Sequence, residues 1–144
     1  MRRREFGQEY AFDGIVLGWH NMDATWEVEY TDEFETWWSG LSGEEQENVD
    51  SKMGLLAQLG PNLGRPHVDT VKESRHPNMK ELRIQHAGRP YRVLFAFDPR
   101  RSAILLIGGD KAGNARWYEQ NIPIADRLFG DHLQKIEREE KDRS

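Results

Sequence analysis

The stretch from Met79 to Tyr118, MKELRIQHAGRPYRVLFAFDPRRSAILLIGGDKAGNARWY, constrains this chain most. Three apolar runs follow one another across short connections, and each reads as a strand: Met79–Gln85, Tyr91–Phe97 and Ser102–Ile107. His86–Pro90 is a turn, and Asp98–Arg101 is a tight hairpin turn with proline at its second position. Segments joined this closely form an antiparallel meander. Tyr91–Phe97, rich in aromatic and branched residues, reads as the central strand. Ser102–Ile107 is almost continuously apolar, the mark of a buried strand. Gly108–Asn114 (GGDKAGN) reads as a flexible loop. Lys80, Arg83, Arg89, Arg92, Lys111 and Arg116 fall on or beside these strands, with Tyr91, Trp117 and Tyr118 close by. Cations for phosphates and aromatic faces for bases are what a single-stranded polyanion requires.

Upstream, Trp26–Tyr30 (WEVEY) alternates apolar and acidic residues, the period of a half-buried strand. Thr31 or Asp32 caps a short helix that carries Phe34, Trp37 and Trp38 on one face. Ser42 and Glu45 form a capping-box pattern. The helix they open carries Val49, Met53, Leu56 and Leu59 and stops at Gly60-Pro61. Residues 61–78 have turn chemistry, with Val68 and Val71 dipping into the core. Asn114 caps a last helix from Ala115, which Pro123 kinks or restarts and in which Ile124, Leu128, Leu133 and Ile136 continue an apolar stripe. The resulting order, β-α-α-β-β-β-α, predicts an α+β fold. An antiparallel β-sheet packs against an N-terminal helical hairpin, a C-terminal helix follows, and the second sheet face is left free for binding. Residues 1–24 read as an N-terminal extension, 25–136 as the domain and 137–144 as a charged tail that frays. Within the extension, Ile15–Trp19 is a candidate edge strand and Met22 a candidate alternative start.

A chain of 144 residues fits one domain and buries a core without staples. The absence of cysteine excludes disulfides and thiolate metal sites. The sequence has no apolar run near the ~20 residues of a membrane span. The basic start is followed by Glu5, Glu9 and Asp13 rather than an apolar signal region, so the expected location is cytoplasmic. The net charge of -5 is unevenly spread. Residues 1–60 hold 4 Lys/Arg against 13 Asp/Glu, residues 61–118 hold 11 against 5, and residues 119–144 hold 5 against 7. Screening confines each charge to roughly 8–10 Å, so the local excess of cations in the middle third outweighs the global sign. The acidic N-terminal half is expected to face basic protein segments rather than RNA.

Three blocks carry a resemblance: LGPNLGRPHVDTV (59–71), NMKELRIQHAGRPYRVLFAFDPRR (78–101) and IGGDKAGNARWYEQNIPIAD (107–126). In this order and spacing they resemble the RelE/ParE superfamily of bacterial toxins, in its HigB-like, phage-derived branch. The resemblance implies a toxin of a type II toxin–antitoxin pair, a ribosome-dependent endoribonuclease that cuts messenger RNA by attack of a ribose 2′-hydroxyl on the next phosphate. It implies no metal and no cofactor, and a cognate helix-turn-helix antitoxin as partner. Arg92 matches the family's strand arginine and is the expected phosphate stabiliser. Lys80 aligns with a basic position on the neighbouring strand, Lys111 with a cation after the glycine turn, and Tyr118 with a tyrosine of the last helix. Arg83, Arg89, Arg116 and His86 are expected RNA contacts, His86 also a candidate base. Lys80 and Arg83, three apart on one strand, point to opposite faces, and Lys80 takes precedence. Trp117 and Tyr118 lie about 100° apart on a helix, and Trp117 is the core member. The sequence departs from the family's paired lysines, since Lys80 is followed by Glu81, itself a candidate base or an ion-pair partner. Arg92 has a competing reading as the ion-pair partner of Glu81 or Asp98. A gyrase inhibitor without nuclease activity, or a non-toxic phage protein that binds an antitoxin, are the alternative functions.

Overall fold

The computed structural model of the chain describes residues 2–3 and 26–143. The candidate edge strand at Ile15–Trp19 and the start at Met22 lie outside the described residues. Six strands form one sheet in the order β1-β2-β6-β5-β4-β3. They are β1 (Arg2–Arg3), β2 (Glu27–Tyr30), β3 (Val68–Thr70), β4 (Lys80–His86), β5 (Arg89–Phe97) and β6 (Ser102–Asp110). The helices are α1 (Asp32–Ser39), α2 (Gly43–Leu59) and α3 (Trp117–Arg143). The α+β class stands, but the sheet is mixed. The meander β3-β4-β5-β6 is antiparallel, whereas β2 joins β6 in parallel, Glu27 opposite Ser102 and Tyr30 opposite Leu105.

Local chemistry accounts for the ends of the elements. The Thr31 hydroxyl accepts from the Phe34 amide and caps α1. Ser42 and Glu45 exchange side-chain and backbone bonds at the start of α2, a full capping box. Ala87 and Gly88 turn β4 into β5 with φ of 51° and 78°, the left-handed pair of a two-residue hairpin. Asp98 closes the β5–β6 turn by accepting from the amides of Arg100 and Ser102. The Asn114 side chain accepts from the Arg116 amide just before α3. Pro123 lies inside α3 without ending it, and the helix continues through the charged tail to Arg143.

Helices cover both sheet faces, so the expected helix-free face does not exist. On one face Phe34, Trp38, Val49, Met53 and Leu56 pack on Leu82, Ile84, Val93, Phe95 and Leu105. On the other, Trp117, Ile122, Ala125 and Phe129 of α3 pack on Met79, Leu94, Ala96, Ile104 and Leu106. The reason is in β5 and β6, which are apolar at both parities; a strand buried on both faces needs cover on both. The α3 stripe centres on Ile122, Ala125, Phe129, His132 and Ile136, with Leu128 and Leu133 at its edge. Leu59, expected in the α2 stripe, is 45% exposed.

The Gly108-Gly109 pair belongs to β6, not to a loop. A Cβ on Gly108 would lie 2.2 Å from the Trp37 ring, and one on Gly109 would lie 2.4 Å from Trp117 Nε1. Each glycine thus admits a tryptophan against the strand, one on each face. A register shift at Leu94/Phe95, where β6 has one extra residue, lets the alternation reset before the pair.

Candidate functional site

Strand parity decides which cations meet. Arg83 and Arg92 stand directly opposite each other on β4 and β5, on the α3 face. Two guanidiniums so placed repel unless a carboxylate lies between them. Glu81, two residues before Arg83 and on the same face, supplies it. Glu81 is 5% exposed and receives three side chains. The Tyr118 hydroxyl donates to its Oε1 at 2.6 Å. Arg83 donates to its Oε2 from Nε at 3.0 Å and approaches it with NH2 at 2.9 Å. Arg92 Nε lies 3.7 Å from its Oε1. Arg92 also donates to the Tyr118 oxygen at 3.3 Å and to the Tyr91 carbonyl at 2.9 Å. Arg92 is nearly buried, so its position is fixed by these bonds and by the packing above it.

Lys111 enters from the turn after β6, where its amide donates to the Pro90 carbonyl. Its ammonium sits 5.2 Å from the centre of the Tyr118 ring, within cation–π range. Asp69 on β3 holds the outer side of Arg83 at 3.3 Å and also pairs with Arg65. Beside this cluster opens a cleft of about 220 Å³, lined by Asp69, Thr70, Glu81, Arg83 and Tyr118 among others. Trp117 is buried under Gly109 and Tyr118 is half-buried, so the helix turns the tyrosine to the cluster and the tryptophan to the core.

The electrostatics follow from burial and neighbours. Burial, and then the hydrogen bond to Glu81, pushes the Tyr118 hydroxyl above the ordinary phenol value, so it stays protonated at neutral pH. Burial, and then the charge of Arg92, lowers the Lys111 ammonium, making it a stronger acid than a solvated lysine. The bond to Glu81 raises Arg83.

The structure thus brings together Arg92, Lys111, Tyr118 and Arg83 from the expected set. The remaining four lie elsewhere. Lys80 shares the parity of Leu82 and Ile84, faces the helical hairpin and reaches the Thr70 hydroxyl at 3.5 Å. His86 Nδ1 accepts from Asn48 Nδ2 at 3.1 Å. His86 and Arg89 line a different hollow, about 430 Å³, with Trp37, Glu45 and Tyr91; Arg89 there pairs with Asp110. Arg116 is exposed and pairs with Glu119, three residues on. The competing reading of Arg92 as a partner of Glu81 is realised; Asp98 instead binds His132 at 2.8 Å. Glu81 itself is the residue whose centrality sequence reasoning understated. Its signal was the E-x-R alternation, which puts a carboxylate and an arginine on one strand face. Among the described residues no group of three or more His, Asp or Glu side chains is arranged to hold a metal ion.

A mixed sheet between a helical hairpin and a long C-terminal helix, with a cleft of mixed charge beside the start of that helix, defines a small α+β protein of RelE-like architecture. The chain belongs to the family of phage-derived Gp49-like proteins (DUF891), whose model matches residues 36–130, and the HigB-like assignment holds. It is 55% identical over 94 residues to a protein of Mycobacterium tuberculosis (strain ATCC 25618 / H37Rv) named "Putative toxin HigB3", an alignment covering 65% of this chain and 81% of that one. It is 50% identical over 103 residues to "Putative toxin HigB2" of the same strain, covering 70% of this chain and 51% of the relative.

Proposed function

We propose that the protein is the toxin of a type II toxin–antitoxin pair and that it cleaves messenger RNA on the ribosome by metal-independent attack of a 2′-hydroxyl. The toxin reading rests on the family and on the names of the relatives. The nuclease reading rests on one observation: guanidinium, ammonium and phenol groups from β4, β5, the β6–α3 turn and α3 converge on Glu81 and Tyr118, beside a cleft that Glu81, Arg83 and Tyr118 line. In-line cleavage needs positive charge for the phosphorane and a proton for the leaving 5′-oxygen. Arg83 and Arg92 are placed to clamp the scissile phosphate, and each such contact is worth roughly 3 kcal/mol in the transition state. Lys111 is the proton donor suited to the leaving oxygen. The partner is a cognate antitoxin, proposed to be of the helix-turn-helix type, and the site of action is the cytoplasm. Among the described residues no helix is long and apolar enough to cross a membrane.

A second reading has its own support. Arg83, Arg89, Arg92 and Arg116 each hold a carboxylate in the free protein. Charges already neutralised in this way also suit a docking surface, as in a gyrase inhibitor without nuclease activity. Inducing the protein and mapping messenger 5′ ends separates the two. New ends at defined positions within codons are the expected result; intact messages alongside gyrase-dependent DNA breaks would establish the second reading.

A further inference from the structure

The proton acceptor is the part missing from the cleavage scheme. Arg83, Arg92 and the charged form of Lys111 cannot take a proton, and Lys80 and His86 lie away from the cluster. The Glu81 carboxylate can; it lines the cleft, but both of its oxygens are already held, Oε1 by the Tyr118 hydroxyl and Oε2 by Arg83. Its partners in the cluster are all side chains, Tyr118, Arg83 and Arg92, so protonating it breaks no strand or turn. The Tyr118 oxygen, on a residue that lines the same cleft, donates to the carboxylate and accepts from Arg92, so it is the group through which a proton can reach the held Oε1.

We propose that Glu81 is the proton acceptor of the cleavage and works through the Tyr118 hydroxyl, an assignment that rests on the nuclease reading above. The ribose 2′-proton passes to Tyr118 Oη as the tyrosine's own proton passes to Glu81 Oε1. The freed electron pair on the 2′-oxygen forms the new bond to phosphorus. The bond from phosphorus to the 5′-oxygen breaks, and that oxygen takes a proton from Lys111 Nζ. The products are a 2′,3′-cyclic phosphate end and a 5′-hydroxyl end, with Glu81 protonated and Lys111 neutral, and both groups return to their resting forms by exchange with water. The transfer has an electrostatic consequence. In the resting protein Glu81 offsets the charge of Arg83 and Arg92. Once protonated it no longer does, and both guanidiniums are released to the phosphorane as its negative charge builds. The raised Tyr118 keeps the relay proton in place until the 2′-hydroxyl arrives.

The test is single-turnover cleavage by the full chain on ribosomes programmed with a defined message, with ribosome binding measured separately. Glu81→Gln keeps the shape of the acceptor but removes its basicity; Tyr118→Phe keeps the ring and removes the relay oxygen. Each is expected to slow cleavage about 100-fold or more, the scale of a lost general base. Binding should stay within about threefold of wild type, and the double variant should be no slower than the slower single one, because the two act as a unit. Wild type is expected to show an acidic limb in its rate–pH profile, and Tyr118→Phe to lose it. Cleavage by Tyr118→Phe at the wild-type rate, losses that multiply in the double variant, or an unchanged acidic limb would each overturn the relay while leaving the nuclease reading intact. If Glu81→Gln does not fold, Tyr118→Phe decides alone. No cleavage by the wild-type protein would remove the nuclease reading and the relay with it.

Discussion

Glu81 and Asp98 are both buried carboxylates, each 5% exposed, yet they are satisfied in opposite ways. Asp98 Oδ1 accepts from two backbone amides of its own turn, and its Oδ2 meets His132 of α3 at 2.8 Å. Those amides have nowhere else to go, so Asp98 belongs to the architecture. It closes the β5–β6 hairpin and ties the middle of α3 to it. Glu81 accepts from the side chains of Tyr118 and Arg83, with Arg92 beside it, next to a cleft. Those donors can turn to a phosphate without unravelling a turn. The lesson is that a buried carboxylate held by amides is fixed by the backbone, whereas one held by movable cations and a phenol beside open space can exchange its partners.

Replacing Asp98 tests that contrast most severely. Asp98→Ala strands two amides and the buried His132, and is expected to cost about 2–4 kcal/mol in urea unfolding, with cleavage per folded molecule preserved. Arg92→Ala should show the reverse emphasis. Cleavage is expected to fall about 100-fold, as for loss of a transition-state donor, in single-turnover assays on programmed ribosomes. A variant that cleaves like wild type would show that Arg92 serves Glu81 and not a phosphate. Gly109→Ala probes the floor beneath the cluster: its Cβ meets Trp117, so overpacking of roughly 1–3 kcal/mol is expected in unfolding, with slower cleavage as Tyr118 shifts.

A pH dependence of stability should arise on the far face, away from the cleft. The bond from Tyr91 lowers Glu45, and the same bond together with burial pushes Tyr91 up to about 12. A depressed carboxyl contributes stability above its unfolded value that is lost as pH falls through the folded value. A raised phenol contributes stability below its unfolded value, lost as pH rises from about 10 toward 12. Tyr91→Phe should therefore flatten both the acid and the alkaline limbs of a thermal-melting profile. The smallest effect is expected at Lys80: with its side chain on the hairpin face, Lys80→Ala should change cleavage by less than about twofold, the usual scale for a surface change.

Much of this fold was legible because it is local. The capping box at Ser42 and Glu45, the proline turn at Asp98–Arg101 and the meander all follow from residues near one another in the chain. The parallel pairing of β2 with β6 was not, since nothing near either strand announces it. Gly108-Gly109 reads as a loop in the sequence because the reason for the glycines is two tryptophans from distant helices. The free sheet face was an error of inference rather than of signal: Val93, Leu94, Phe95 and Ala96 are apolar without alternation, which already required cover on both sides. Cover on the second face also decides the site. With the α3 face covered, the pocket forms at the helix start, and parity selects Arg83 over Lys80. Arg92, Lys111 and Tyr118 come together there, which the family blocks had implied and spacing alone had not.

The parallel seam between β2 and β6 also governs when this molecule can first exist during synthesis. Glu27 waits for Ser102, and Tyr30 for Leu105, before either has its neighbour. Long-range closure of this kind delays assembly until most of the polypeptide has left the ribosome. A nascent chain interrupted before β6 lacks the partner of β2 and the seat for α1. The fold of a protein proposed to stop translation is thus completed only late in its own translation.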